Sequence, residues 1–180
     1  IISKKPKKLL NIEKDEKLYN FLKKKYQNKK NIKILNTDIL DYDFSNFRNI
    51  KIISNLPYNI STKIIMRLVL LNHNLNNLIC MIQKELAKKF DYKINKINKY
   101  KFIIKYCCEY KILFNVSNKV FYPKPKVNSA VVEFKLKKID IDKEKLFNFV
   151  NIIFAKKMKN IRNKIKFNSS ISEEILSKRA

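Results

Sequence analysis

Apolar positions along this chain recur with two periods, and segments of one kind alternate with segments of the other. L-L-N-I-E (9–13) reads as a strand. D-E-K-L-Y-N-F-L-K-K-K (15–25) follows with helical spacing, placing Leu18, Phe21 and Leu22 on one face. I-K-I-L-N (32–36) and I-K-I-I-S (50–54) are two more strands. From Ser61 the spacing is helical again, with Ile60, Ile64, Leu68 and Leu71 at i, i+4, i+8 and i+11. N-L-I-C-M-I-Q (77–83) has the composition of a buried strand and runs into the helix K-E-L-A-K-K-F (84–90). A further helix is predicted over 99–109, then strands at K-I-L-F-N-V (111–116) and A-V-V-E-F-K-L (130–136).

Strand–helix alternation implies βαβ crossovers and a mostly parallel sheet with helices on its faces. The last two strands are joined by a loop rather than a helix, which predicts an antiparallel edge. After Lys138 the pattern is purely helical: Leu146, Phe149, Val150, Ile153 and Phe154 form an apolar stripe, and a basic helix follows at 156–166. A boundary is therefore expected near 137–141, separating an α/β domain (1–137) from a helical one (138–180).

Composition narrows the chemistry. The chain has 180 residues, 46% hydrophobic, enough for one cored domain and a small appendage. No apolar run is long enough to span a membrane. His73 is the single histidine, which argues against histidine triads and multi-histidine metal sites. Cys80, Cys107 and Cys108 have no metal-ligand spacing and read as buried thiols of a reducing compartment. With 41 Lys+Arg against 15 Asp+Glu the net charge is +26. Such an excess suits a polyanion, although lysine also accumulates in a chain this rich in Asn, Ile and Phe. Glycine is absent, so turns must rely on Asn, Asp and Pro.

In open α/β sheets ligands sit at the carboxyl ends of strands. Here three such ends carry polar groups: Glu13, Asp38 and Asn55. A carboxylate at Glu13 can take ribose hydroxyls; one at Asp38 can accept from an adenine amine, with Ile39 packing on the ring. The stretch N-L-P-Y-N-I-S-T (55–62) is the most distinctive. Pro57 pushes Leu56 out of the helical region. The Leu56 carbonyl and the Asn55 side chain can then accept from the amine of a planar base, and Tyr58 offers a stacking face. The alternative is a Pro-Tyr turn that stops a strand and caps a helix at Ser61.

This stretch resembles the catalytic motif of the rRNA adenine N6-dimethyltransferases of the KsgA and Erm types. The order I-E-K-D (12–15), T-D-I-L (37–40), N-L-P-Y-N-I-S-T and F-Y-P-K-P-K-V-N-S-A-V-V (121–132) follows the family across almost the whole chain. M-I-Q-K-E-L-A-K-K-F (81–90) and F-A-K-K-M-K-N-I-R-N-K-I-K (154–166) favour the KsgA type. The resemblance implies a Rossmann-like methyltransferase fold, S-adenosylmethionine as methyl donor, and two adjacent adenines near the 3′ end of small-subunit rRNA as acceptors. Glu13, Asp38 and Ile39 are then cofactor residues, with Lys14 offering its alkyl stem where an apolar residue often packs, and Asn55 beside them. Asn55, Leu56, Pro57, Tyr58 and Phe121 form the base-holding set, Tyr58 and Phe121 stacking on a flipped adenine. Lys124, Lys126, Lys156, Lys157, Lys159 and Arg162 are the candidate rRNA contacts; no metal is implied.

Two family features are absent: the glycine-rich loop after the first strand, and the segment before it. Ile1 aligns just after that loop, so a fragment or processed chain is expected. A monomer working on the small ribosomal subunit in the cytoplasm, or in an organellar matrix, completes the expectation. Two competing readings are a non-catalytic assembly factor on the same fold and an Erm-type enzyme of 23S rRNA.

Overall fold

Strand-forming runs in this chain are short, so each needs a neighbour before it can bury anything. A computed structural model describes residues 6–71, 74–93, 98–139 and 142–155. They form two compact units that divide between Asn46 and Phe47, a division not marked in the sequence by a linker.

The first unit holds β1 (Leu9–Glu13), α1 (Glu16–Tyr26) and β2 (Ile32–Asn36). β1 and β2 pair in parallel, Leu9 opposite Ile32 and Glu13 opposite Asn36. Asp15 caps α1, its carboxylate accepting from the Leu18 N–H at 2.8 Å. The apolar face expected on α1 is not buried: Leu18 is 44% and Phe21 59% exposed. One helix on a two-stranded sheet has too little surface to enclose them. Lysines cover the rings instead, Lys25 lying 5.5 Å from the Phe21 centroid and Lys23 5.5 Å from Tyr19.

The second unit contains β3 (Ile50–Asn55), α2 (Ser61–Leu71), β4 (Leu75–Gln83), α3 (Lys84–Phe90), α4 (Lys99–Cys107), β5 (Cys108–Val116), β6 (Ser129–Leu136) and α5 (Lys143–Ala155). Its sheet has the order β3-β4-β6-β5. β3 and β4 are parallel, whereas β6 runs antiparallel to both β4 and β5, which makes the predicted edge. α4 stops earlier than expected, and β5 starts at Cys108 without an intervening turn. Here alternating burial overrides helical spacing: Cys108 and Tyr110 point into the core while Glu109 is exposed.

The core of this unit is an aromatic cluster under aliphatic layers. Phe90 meets Phe134 at 5.7 Å and Tyr110 at 6.2 Å, both edge-to-face. The Tyr110 hydroxyl donates to the Ala87 carbonyl at 2.8 Å, tying β5 to α3. Ile64 and Leu68 of α2 are buried as their spacing predicted, and Leu146, Phe149 and Val150 bring α5 into the same core. Each such side chain contributes about 1.5–3 kcal/mol on burial. The left-handed conformation that a glycine-free chain must give to another residue falls, among the described residues, to Asn49, at φ 55° just before β3.

All three cysteines are free and buried. Burial pushes the Cys80 thiol up to about 12 and Cys107 to about 11, and raises Cys108 as well. At pH 8 the thiolate fraction of Cys80 is then roughly 10⁻⁴, and access is blocked. An aromatic disulfide reagent at pH 8 should therefore leave all three unlabelled in the native protein and titrate three thiols in guanidinium. Fast labelling of the native chain would contradict this packing.

Candidate active site

Within the first unit the carboxyl ends of β1 and β2 bring together Glu13, Lys14, Asp38 and Ile39. Parallel pairing dictates this, because both strands end on the same edge. The Thr37 N–H donates to the Glu13 carbonyl at 3.1 Å, and the Asn36 side chain donates to it at 3.0 Å. The Glu13 carboxylate accepts from the Asp15 N–H at 2.9 Å, which fixes it at the mouth of the β1–α1 turn. Asp38 has both oxygens engaged: Oδ1 accepts from the Leu40 N–H at 2.9 Å, and Oδ2 from the Lys14 ammonium at 2.7 Å.

Lys14 carries an interaction that was not expected of it: its ammonium is a partner of Asp38, while the rest of the side chain is largely in solvent. The hydrogen bond to Asp38 and the attraction of that carboxylate raise the Lys14 pKa above the ordinary lysine value, with Asp41 adding to the effect. The donor set nevertheless fits an adenosyl group. Glu13 presents a carboxylate at one strand end, and Asp38 one that already accepts an N–H on each oxygen, as it would from a ring amine.

In the second unit the N-L-P-Y stretch begins at the carboxyl end of β3. Asn55 is the last ladder residue, opposite Met81, and the Leu56 N–H extends the ladder by donating to the Met81 carbonyl at 3.2 Å. The Leu56 side chain is buried, which anchors the loop, while Asn55 is exposed. No donor among the described residues reaches the Leu56 carbonyl or the Asn55 amide oxygen. Pro57 follows the last ladder donor, and its carbonyl accepts from the Ile60 N–H at 3.3 Å to close the turn into α2. The buried Ser61 hydroxyl donates to the Tyr58 carbonyl at 3.1 Å. This bond holds the tyrosine backbone against the start of α2; it satisfies no first-turn N–H and so is not the helix cap of the plain-turn reading.

Because β6 is reversed, the 117–128 loop that leads into it lies at the same end of the sheet. A short 3₁₀ turn, Asn118–Val120, delivers Phe121, whose N–H donates to the Asn118 carbonyl at 3.4 Å. The loop is closed at its base: Asn118 donates from its N–H to the Asn128 side chain at 2.9 Å and from its amide to the Pro125 carbonyl at 3.1 Å. The Tyr122–Pro123 peptide is cis. Phe121 is half-buried, Lys124 and Lys126 are exposed. Lys156, Lys157, Lys159 and Arg162 lie outside the described residues. One residue of the site carried no expectation. Ser129, the serine of P-K-P-K-V-N-S, has its Oγ 2.6 Å from the Tyr58 hydroxyl.

The fold is that of Rossmann-like methyltransferases. A dimethyladenosine transferase from Plasmodium falciparum superposes with a TM-score of 0.75 at 24% identity, over 96% of this chain and 63% of that one. The 23S rRNA methyltransferase ErmE does so with 0.75 at 19% identity, over 98% of this chain and 72% of that one. Sequence relatives are closer. Ribosomal RNA small subunit methyltransferase A of Malacoplasma penetrans is 39% identical over 188 residues, 99% of this chain and 67% of that protein. Its counterpart in Coxiella burnetii is 30% identical over 164 residues, 86% of this chain and 64% of that protein. The chain thus spans about two thirds of the length of these relatives. The ribosomal RNA adenine dimethylase model matches residues 1–179, and the chain belongs to that family.

Proposed function

We propose that the protein is a small-subunit rRNA adenine N6,N6-dimethyltransferase that uses S-adenosylmethionine and acts during ribosome biogenesis on two adjacent adenines near the rRNA 3′ end. The observation that carries this reading is the pair of uncommitted acceptors, Asn55 Oδ1 and the Leu56 carbonyl, beside a tyrosine held in place. S-adenosylmethionine supplies an electrophilic sulfonium methyl when bound. Asn55 and Leu56 accept the two amine hydrogens of the target adenine, which keeps the nitrogen lone pair out of ring conjugation. As the nitrogen takes up positive charge on attack, the same two oxygens stabilise it. Its proton becomes acidic only then, so no strong base is required. Tyr58 and Phe121 provide stacking faces for the extracted base, worth about 1–3 kcal/mol each. Glu13 and Asp38 would hold the ribose hydroxyls and the adenine amine of the cofactor.

Lys124 and Lys126, with the basic segment at 156–166 of a helical region beginning near 138, are read as phosphate contacts. The working unit is taken to be a monomer located where small subunits mature, in the cytoplasm or an organellar matrix. The test uses full-length protein, tritiated S-adenosylmethionine and unmethylated ribosomal subunits. Dimethyladenosine in small-subunit rRNA is the expected product. Label on large-subunit rRNA would move the protein to the Erm type. Subunit binding without cofactor affinity or transfer would make it an assembly factor.

A further inference from the structure

We propose that Ser129 is a positioning residue for the target base, acting through Tyr58. This rests on the reading of Tyr58 as the base's stacking face. Tyr58 lies three residues past the end of β3, in a turn where a tyrosine ring would ordinarily sample several orientations. Its hydroxyl instead reaches across the end of β4 to the first residue of β6, 71 positions along the chain, and meets Ser129 Oγ at 2.6 Å. That distance is at the short end for O–H···O bonds.

Ser129 makes a rigid anchor. It is fully buried, and the ladders fix it from both sides, opposite Gln83 of β4 and Val116 of β5. Tyr58 is thereby held at both extremities, its carbonyl by the buried Ser61 hydroxyl and its phenol by Ser129. The residue as a whole is half-buried. A ring fixed before the base arrives spares the complex the cost of ordering it on binding. The bond also joins the two signature stretches physically: N-L-P-Y supplies the ring, and the last residue of P-K-P-K-V-N-S sets its tilt.

A buried serine must find some partner, so a purely structural role would show as lost stability alone. The positioning role is tested with full-length protein carrying Ser129→Ala, Tyr58→Phe or both, by single-turnover transfer, subunit affinity and NMR of ¹³C-labelled tyrosine rings. Each single variant should slow transfer about tenfold with subunit affinity within about twofold, and the double variant should be no slower than either. Tyr58→Phe keeps the serine and the core intact, so it reads the bond even if Ser129→Ala perturbs folding. The Tyr58 ring signals should report one fixed environment in the wild type and averaging in Ser129→Ala. Multiplying losses in the double variant, or an unaltered Tyr58 ring in Ser129→Ala, would overturn the proposal. If the wild type transfers no methyl, the enzymatic reading falls, and the ring measurement still decides whether Ser129 orients Tyr58.

Discussion

Asn55→Ala should lower the rate of methyl transfer by about 10²–10³-fold, the loss typical when one preorganised hydrogen-bonding group is removed from developing charge. Folding should be nearly unaffected. Asn55 is exposed at the end of β3, and its ladder position opposite Met81 depends on backbone atoms that alanine keeps. An exposed site of this kind usually shifts stability by no more than about 0.5 kcal/mol. Affinity for small subunits should also persist, since phosphate contacts dominate it. Asn55→Asp keeps an acceptor oxygen at the same place and should retain more activity than the alanine variant. Equal transfer by wild type and Asn55→Ala in a single-turnover assay would remove Asn55 from the chemistry.

The second large effect is expected at the other cluster. Asp38→Ala should weaken S-adenosylmethionine binding by about 10–150-fold, the range for a hydrogen bond to a charged group, with subunit binding unchanged. Asp38→Asn separates two roles of this residue. Its amide oxygen can still accept from the Leu40 N–H and preserve the turn, but it no longer attracts Lys14. Lys14→Ala provides the complementary control. The Lys14 ammonium occupies Asp38 Oδ2 yet is itself largely in solvent, so its removal should tighten cofactor binding by a few-fold at most. Calorimetry on the three variants distinguishes these outcomes. Unaltered affinity in Asp38→Ala would exclude the carboxylate from the cofactor site.

Much of this arrangement was legible in the chain because it depends on local rules. Strand and helix periods located β1 to β6 within a few residues, and the proline after Leu56 marked the turn into α2. Asn49 took the left-handed position that a glycine-free sequence has to assign elsewhere. What sequence did not disclose depends on what each segment packs against. The apolar spacing on α1 has no layer within its unit large enough to bury Leu18 and Phe21, and period alone carries no such information. The Lys14–Asp38 pair spans 24 positions, and the Tyr58–Ser129 bond 71. Both follow from strand register, which is fixed only when the sheet forms. Cys108 joined the sheet rather than the helix because its neighbours alternate in burial, a tertiary preference stronger than helical propensity.

The reversed direction of β6 has a consequence for how such a protein could change over time. β5 and β6 form a hairpin whose connecting arm lies at the end of the sheet that carries Asn55, so that arm can be lengthened without rethreading any crossover. Doubling a flexible loop costs only about 0.6 kcal/mol in closure entropy. The Asn118–Asn128 clasp would keep the base of a longer arm shut. The hairpin tip can therefore vary in length while Asn55 and Leu56 stay at the end of the parallel β3–β4 pair.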